Sequence, residues 1–413
     1  MPQIFVLFLL LLINYYKLNF PLLYKQTSLY KMKLKFSIIV SLISFSLLIV
    51  SSTRIIKRIP KKVIIGYPSW GQCDDQIIEA ARNGVNVIIW FSINLSVNES
   101  GPFISGGPDY NCVANIVQKL NELNLPTINL ISIGGWNSPH PNTNHSGSEY
   151  YQAFKHWNEN VIAKKEFGFY GFDGFDWDLE GNDDLKSDYN FFSVKCLDLM
   201  GEMSQIAKSE GYLITMAPCE SYLDPTTSLF DRSLLLEYDE YKYLNPPFTY
   251  HGRNVFSYLI AKYGKISLQD QTKDVFDLIM VQFYETFSHM LYNTTTKIDS
   301  PSEYIENMVR KFYNGWEVDF TSDWSLNYES HKVYVTKNNL VIGLANAWAD
   351  GNRTLFVEPK ELEKAYLKLK EEGLEPKGFG FWTIKEEGKI FEGTGEALFM
   401  AKDLNKFLEI RKQ

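Results

Sequence analysis

Residues 172–181 read FDGFDWDLEG, and this short segment decides both the fold and the chemistry. Side chains alternate between the two faces of a strand, so Asp176, Asp178 and Glu180 share one face while the apolar residues between them share the other. The apolar face suits packing against helices. The acidic face would then point into a closed parallel sheet, with Glu180 nearest the C-terminal mouth, where active sites lie.

Three carboxylates on one inward face repel one another and lose solvation, and both effects raise their pKa values. A solvated edge strand is one alternative, but the aromatic opposite face disfavours it. A calcium or magnesium site is another, but no nearby loop supplies the remaining ligands. The segment therefore predicts acid catalysis on a glycoside, in which Glu180, the longest and outermost side chain, protonates the leaving oxygen.

From residue 63 onward, short apolar and β-branched runs alternate with amphipathic, helix-like segments. The strand candidates are 63–70, 85–94, 126–136, 172–181, 212–219, 277–284, 339–347 and 378–384. The helix candidates include 74–83, 111–124, 149–167, 188–210, 301–314 and 359–373. Eight strands that alternate with helices predict a (β/α)8 barrel, and residues 54–413 are expected to form this single catalytic domain.

The stretch 220–276 is too long for a plain connection, so we expect an insertion on the catalytic face between strands five and six. A doubly wound open sheet is the alternative fold. It usually carries a glycine-rich phosphate loop after its first strand, and here that strand is followed by SWGQCDDQ.

The composition limits which ligands and cofactors are expected. A net charge of −8 over 413 residues makes nucleic acid an unsuitable ligand. The four cysteines lack metal-binding spacing, so neither a metal nor a cofactor is expected. Cys73 and Cys112 have loop-like surroundings and are the preferred disulfide pair, whereas buried free thiols suit Cys196 and Cys219 at least as well.

The first 53 residues are predicted to be a targeting segment. Residues 36–50 form an apolar run that follows the basic MKLK at 32–35 and precedes small residues, which is the layout of a secretory signal. Met32 would then be the true start. The alternative keeps Met1 as the start and makes residues 36–50 an uncleaved membrane anchor. Five N-x-S/T sequons, at Asn94, Asn98, Asn144, Asn293 and Asn352, are compatible with secretion or with a lysosomal location.

The acidic segment DGFDWDLE resembles the D-x-x-D-x-D-x-E signature of glycoside hydrolase family 18, which includes chitinases. Three further elements resemble that family in the expected order. They are Ser132-Ile133-Gly134-Gly135 followed by Trp136 on strand three, Met280, Gln282 and Tyr284 on strand six, and Trp382 on strand eight. The resemblance as a whole covers residues 63 to about 400.

The resemblance implies substrate-assisted catalysis, in which the 2-acetamido oxygen of the sugar replaces a protein nucleophile. Glu180 would protonate the leaving group, Asp178 would orient the acetamido N–H, and Asp176 would share its proton. Tyr284 would bind the acetamido carbonyl and Trp382 would lie beneath the sugar.

The remaining family elements would bind substrate or shape the site. Gln282, Met280, Gly135 and Trp136 are the further substrate-binding candidates. The small residues of strand three would let it approach the carboxylates closely, whereas Asp173, of opposite strand parity, would be structural. Glu285, which follows Tyr284, departs from the Asn that many relatives carry and leaves the substrate contacts open.

The expected substrate is chitin or another N-acetylglucosamine oligosaccharide, cleaved at β-1,4 linkages by a secreted monomer. Cleavage of the chitobiose core of N-glycans is one alternative. A non-catalytic chitin-binding lectin is another, although lectins of this fold typically lack the acid glutamate. No separate carbohydrate-binding module is visible, which favours soluble oligomers or accessible chains over dense crystalline chitin.

Overall fold

The computed structural model describes residues 57–234, 253–268, 271–284, 288–296, 300–347, 355–391 and 395–411. These residues belong to one compact unit, Ile56–Gln413. The predicted targeting segment, residues 1–53, lies outside the described residues. Within the described ranges, no helix has both the length and the apolar character needed to span a membrane.

The strands, in chain order, are β1 (Val63–Tyr67), β2 (Val87–Asn98), β3 (Gly101–Gly106), β4 (Ile128–Gly135), β5 (Gly174–Leu179), β6 (Leu213–Met216), β7 (Lys265–Leu268), β8 (Gln271–Asp274), β9 (Leu278–Gln282), β10 (Trp316–Val318), β11 (His331–Val333), β12 (Leu340–Ala345) and β13 (Gly378–Trp382). Eight of them are parallel and pair in the order β1-β2-β4-β5-β6-β9-β12-β13, and β13 pairs with β1 to close the ring. All eight predicted strands are present, so the (β/α)8 barrel is confirmed.

The helices, in chain order, are α1 (Gln76–Arg82), α2 (Tyr110–Glu122), α3 (Gly147–His156), α4 (Val194–Ser209), α5 (His289–Thr296), α6 (Pro301–Asn314), α7 (Pro359–Glu371) and α8 (Met400–Leu408). Five of the six predicted helices match these bounds to within a few residues at most ends. Helix α4 starts later than predicted, because Ser193 caps it by accepting a hydrogen bond from the Cys196 amide at 3.1 Å.

The helix predicted over 149–167 is wrong in its second half. Helix α3 ends at His156 and a π-helical turn, Trp157–Val161, follows it. The side chain of Asn158 in this turn bonds both the amide and the carbonyl of Phe172, at 2.7 and 3.0 Å. These bonds hold the turn against the residue that leads into β5. The apolar spacing of the sequence cannot distinguish such a turn from a continuing helix.

The predicted insertion between strands five and six is present between β6 and β9, although residues 235–252 lie outside the described residues. Its described parts include a π-helical turn at Leu259–Tyr263 and the antiparallel pair β7–β8. The sequence analysis missed a second excursion. After α6, the antiparallel pair β10–β11 encloses residues 319–330.

Two apolar clusters form the core. One fills the barrel interior and includes Val63, Ile65 and Met280, and the other lies between the barrel and the helices and includes Ile64 and Trp177. Outside the barrel, a disulfide joins Cys73, after β1, to Cys112 in the first turn of α2. This pairing was predicted, and Cys196 and Cys219 are buried free thiols.

Candidate active site

The acidic row lies on β5 and the residue that follows it, with the facing that strand parity predicts. Asp176, Asp178 and Glu180 are all buried, and Asp176 accepts a hydrogen bond from Tyr67, a member of the interior cluster. The intervening Trp177 points outward and donates its indole N–H to Ser204 of α4 at 2.8 Å. The outer core thus anchors the strand, which holds the three carboxylates toward the barrel axis.

Asp176 is the deepest of the three carboxylates. The Tyr67 hydroxyl donates to Asp176 Oδ2 at 3.0 Å, and the Thr215 hydroxyl donates to Oδ1 at 2.5 Å. Burial raises the pKa of Asp176 to about 6, although the two hydrogen bonds act in the opposite direction. Burial and the Asp176 charge together hold the pKa of Tyr67 well above its usual value, so Tyr67 stays a hydrogen-bond donor.

Gln282 connects the two outer carboxylates. Its Nε2 donates to Asp178 Oδ1 at 3.0 Å and to the Ala217 carbonyl at 2.7 Å, and it lies 3.5 Å from Glu180 Oε1. Burial raises the pKa of Glu180 to about 7, against hydrogen bonds with Asp178 and Gln282 that lower it. Glu180 can therefore hold a proton near neutral pH, as a general acid must.

Strand β4 approaches this row closely. Its register places Ser132 beside Asp176 and Gly134 beside Asp178. A Cβ on Gly134 would lie 2.8 Å from the Asp178 carbonyl oxygen, and one on Gly135 would lie 2.3 Å from a ring carbon of Phe91. Both glycines have positive φ, 107° and 104°, so two independent constraints require glycine there.

Trp382 lies at the C-terminal end of β13 within a group of aromatic rings. Its ring centroid is 4.9 Å from that of Phe91 and 5.0 Å from that of Trp70. Trp70 is half exposed, which opens the group to solvent. The sequence analysis did not select Trp70, Phe91 or Tyr67. Strands one and eight are neighbours in any closed eight-stranded barrel, and this adjacency could have suggested Trp70.

Two other predicted residues, Met280 and Tyr284, are buried in the same interior cluster as Trp382. Tyr284 also contributes to the raised pKa of Tyr67, which places the two phenols in the same environment. Glu285 lies outside the described residues. The structure therefore brings Met280, Gln282 and Tyr284 of β9 and its end to the same interior as the β5 carboxylates.

Trp136, at the end of β4, is fixed by a neighbouring loop. Its indole N–H donates to Asp183 Oδ1 at 2.9 Å. Asn137 and Asp183 bond reciprocally, since the Asn137 amide group donates to Oδ2 at 2.7 Å and the Asp183 N–H donates to Asn137 Oδ1 at 2.7 Å. The loops that follow β4 and β5 are therefore joined by hydrogen bonds close to Glu180 in the chain. Neither Asn137 nor Asp183 was predicted from the sequence.

His140 contacts the backbone of Glu180. Its Nε2 lies 3.2 Å from the Glu180 carbonyl oxygen, and its ring centroid is 4.4 Å from that of Phe192. Burial lowers the pKa of His140 to about 4, so the imidazole is neutral at neutral pH. His140 therefore fixes the backbone of Glu180 without adding a positive charge.

Glu220 is a buried carboxylate that lies shortly after β6. It was not predicted as a site residue from the sequence. It accepts hydrogen bonds from the Tyr304 hydroxyl at 2.5 Å and from the Met290 amide at 3.1 Å. Glu220 is thereby committed to holding α5 and α6. Of the other candidates for a second carboxylate, Glu386 pairs with Lys389 at 3.0 Å, and Asp350 lies outside the described residues.

The side chains that contact the acidic row are hydrogen-bond donors. Within the described ranges, no group of three or more His, Cys, Asp or Glu side chains is arranged to hold a metal ion. The carboxylates of β5 bond instead to hydroxyl and amide groups, which are hydrogen-bond donors.

Comparison with known proteins supports the fold. No protein-family profile matches the chain, and no curated protein sequence matches it. Its structure is similar to that of a family GH18 chitinase from Chromobacterium violaceum, with a TM-score of 0.53 and 14% identity over 85% of this chain and 84% of the other. It is also similar to the Legionella pneumophila ChiA C-terminal domain, with a TM-score of 0.51 and 15% identity over 84% of this chain and 98% of the other. The resemblance predicted from the sequence is therefore confirmed at the level of the barrel fold.

Proposed function

We propose that this protein is a family 18 glycoside hydrolase that cleaves β-1,4 linkages between N-acetylglucosamine residues in chitin or chitooligosaccharides. One observation carries the proposal. Asp176, Asp178 and Glu180 lie in a buried row in which Glu180, at the mouth, has a pKa raised to about 7. A protonated carboxyl at the mouth of a barrel is suited to protonating a glycosidic oxygen.

The mechanism is substrate-assisted. The 2-acetamido oxygen of the sugar attacks the anomeric carbon while the bond to the leaving oxygen breaks, and Glu180 transfers its proton to that oxygen. A cyclic oxazolinium ion results. A water molecule then attacks the anomeric carbon from the opposite face and gives its proton to the Glu180 carboxylate, which restores the acid and yields the β-anomer.

Asp178 is the group that orients the acetamido N–H. The Gln282 amide fixes its Oδ1, so the carboxylate has a defined position beside Glu180. Asp176, with its raised pKa and two hydroxyl donors, can hold a proton that Asp178 releases or shares as positive charge develops on the sugar. Tyr284 binds the acetamido carbonyl, and Trp382 lies beneath the sugar ring.

Two further carboxylates near the site, Glu220 and Asp183, are held by hydrogen bonds within the protein, which supports a nucleophile supplied by the substrate. A protein nucleophile in a retaining enzyme stands about 5 Å from the acid, across the scissile bond. Glu220 is held by Tyr304 and Met290, and Asp183 is held by Trp136 and Asn137. An acetamido sugar brings its own nucleophile and needs none of these groups.

The test is to incubate the full chain, expressed through a secretory host, with chitin oligosaccharides and with a high-mannose glycoprotein, and to read the products by mass. Shorter N-acetylglucosamine oligomers are the expected product. Release of the glycan with one N-acetylglucosamine left on the protein would instead indicate the chitobiose-core activity. Binding without any cleavage would indicate the lectin.

A further inference from the structure

Trp324 is the most exposed large apolar side chain of the described residues. It is 88% exposed and begins a short 3-10 turn, Trp324–Leu326, inside the excursion between β10 and β11. Tryptophan is strongly buried on average, so an indole that stands almost wholly in water is unusual. Its neighbours in the chain, Ser322, Asp323 and Ser325, are small and polar.

The backbone around Trp324 is held on both sides. Asp323 Oδ1 accepts hydrogen bonds from the Ser325 amide at 3.1 Å and from the Ser325 hydroxyl at 2.5 Å. Arg232 donates from Nε to Asp323 Oδ2 at 2.6 Å and from Nη2 to the Ser325 hydroxyl at 3.0 Å. The indole is therefore presented from a preorganised turn, and little loop ordering remains for a ligand to impose.

The same arginine connects Trp324 to a second exposed aromatic residue. Arg232 Nη1 donates to the Phe192 carbonyl at 3.0 Å, and the guanidinium lies 4.6 Å from the ring centroid of Phe191. Phe191 is 46% exposed. Three segments that are distant in sequence thus meet at Arg232, and two of them present an aromatic ring to solvent.

Phe191 is connected to the loop that follows Glu180. Phe191 belongs to the segment that follows β5, and its neighbour Asn190 accepts a hydrogen bond at 2.7 Å from the amide of Asn182, two residues after Glu180. The excursion that carries Trp324 is bonded to the segment that follows β6, since the Asp319 amide donates to the Ser228 carbonyl at 2.8 Å. The segments that carry Phe191 and Ser228 follow the C-terminal ends of β5 and β6, whereas the excursion that carries Trp324 lies between α6 and β12.

We propose that Trp324 and Phe191 form a second carbohydrate-binding platform, outside the catalytic cleft, that holds a β-1,4-linked N-acetylglucosamine chain. The assignment rests on the proposed function for the identity of the polymer. Pyranose rings present C–H faces that stack on exposed aromatic rings. The Ser322 hydroxyl beside Trp324 donates to the Asp319 carbonyl at 2.8 Å and keeps acceptor capacity for a sugar hydroxyl. Each guanidinium nitrogen of Arg232 already has a protein partner, so the platform is suited to a neutral chain and has no need of an anion.

A second copy of this chain is the alternative occupant. The core of a protein interface is depleted of charged residues and packed with apolar ones, whereas Trp324 is flanked by serine and aspartate. The platform also changes an expectation drawn from the sequence. Lack of a separate binding module favoured soluble oligomers, but a platform on the barrel itself would hold a longer polymer chain outside the catalytic cleft.

The test measures binding to insoluble chitin with the full chain carrying Glu180→Gln, so that no substrate is consumed. Trp324→Ala is expected to lower the partition onto chitin roughly three- to tenfold, the range that loss of one well-placed aromatic contact gives. Trp324→Phe, which keeps a ring, should retain most of the binding. Tyr170→Ala removes an exposed aromatic residue that precedes β5 at the opposite end of the strand, and it should change nothing.

The same substitutions in the chain with Glu180 intact should leave turnover of a short soluble chitooligosaccharide within about twofold, since such a ligand does not reach beyond the cleft. Chitin binding that is insensitive to Trp324→Ala would overturn the platform, and a change in sedimentation without a change in chitin binding would assign the surface to self-association. Absence of oligosaccharide cleavage by the wild-type chain would reject the proposed function instead, so the two failures are distinguishable.

Discussion

Gln282 donates its side-chain amide to Asp178 across the barrel interior at 3.0 Å, and the same nitrogen lies 3.5 Å from Glu180 Oε1. One amide on β9 therefore stabilises the ionised forms of two carboxylates that extend from β5. The protonation of the acid depends on this contact as well as on burial, because the hydrogen bond from Gln282 lowers the pKa of Glu180.

Gln282→Met should therefore raise the pKa of Glu180 further, since the apolar side chain keeps the volume and removes the donor. The acid then keeps its proton to higher pH. We expect the alkaline limb of kcat/KM to lie near pH 7 in the wild type, from the raised pKa of Glu180, and to move up by about one pH unit in the variant. A pH profile of chitooligosaccharide hydrolysis measures this shift, and an alkaline limb that stays in place or moves down would contradict it.

Asp183→Ala should weaken substrate binding more than it slows the chemical step. The substitution removes the acceptors of the Trp136 indole and of the Asn137 side-chain amide, and it leaves the Asp183 backbone N–H that donates to Asn137 Oδ1. We expect KM for chitohexaose to rise roughly three- to tenfold, the scale of the net contribution of one ordinary hydrogen bond, with kcat within about threefold. Asp184→Ala changes the adjacent aspartate, whose side chain accepts from the Lys186 amide, and is the matched control. Equal effects of the two substitutions would reject the positioning role.

The protein is expected to be exported, with a mature N-terminus shortly after residue 50 and N-linked glycans at Asn98 and Asn144. These two sequon asparagines are exposed, whereas Asn94 has a buried Oδ1 and Asn293 donates its side-chain amide to the His289 carbonyl. N-terminal sequencing and glycopeptide mass spectrometry of secreted material test both points. Recovery of the intact 36–50 segment in a membrane fraction would support the anchor.

The β5 row could be predicted because strand parity alone fixes which side chains share a face. Asp176, Asp178 and Glu180 point inward because the outer residues, such as Trp177, match the helices that cover them. The order of the barrel strands follows from their number and alternation. Local pattern and closure thus account for the fold and for the acidic half of the site.

Contacts between loops could not be predicted in the same way. The bond between Trp136 and Asp183 joins residues separated by 47 positions, and no local periodicity encodes the conformation of either loop. The β10–β11 pair has strands of only three residues, too short for an alternating pattern to indicate. Trp324 was overlooked for that reason, since its exposure depends on how this excursion folds.

Glu180→Gln should abolish hydrolysis, because the amide keeps the shape of the acid and removes its proton. The loss in kcat should be at least about 100-fold, the lower range for general acid catalysis, with oligosaccharide binding largely retained. Glu386→Gln, beyond the end of strand eight, is the matched control and should retain activity. Near wild-type turnover by Glu180→Gln would exclude Glu180 as the acid.

The most direct test of the central claim is the anomeric configuration of the first product. Proton NMR of freshly cleaved chitohexaose should show the β-anomer before mutarotation, because the acetamido oxygen and then water attack from opposite faces. A thiazoline mimic of the oxazolinium ion should inhibit the enzyme, and cellohexaose and fully deacetylated chitosan should not be cleaved, since neither carries an acetamido group. An initial α-anomer, or hydrolysis of cellohexaose at a rate comparable to that of chitohexaose, would contradict substrate-assisted catalysis.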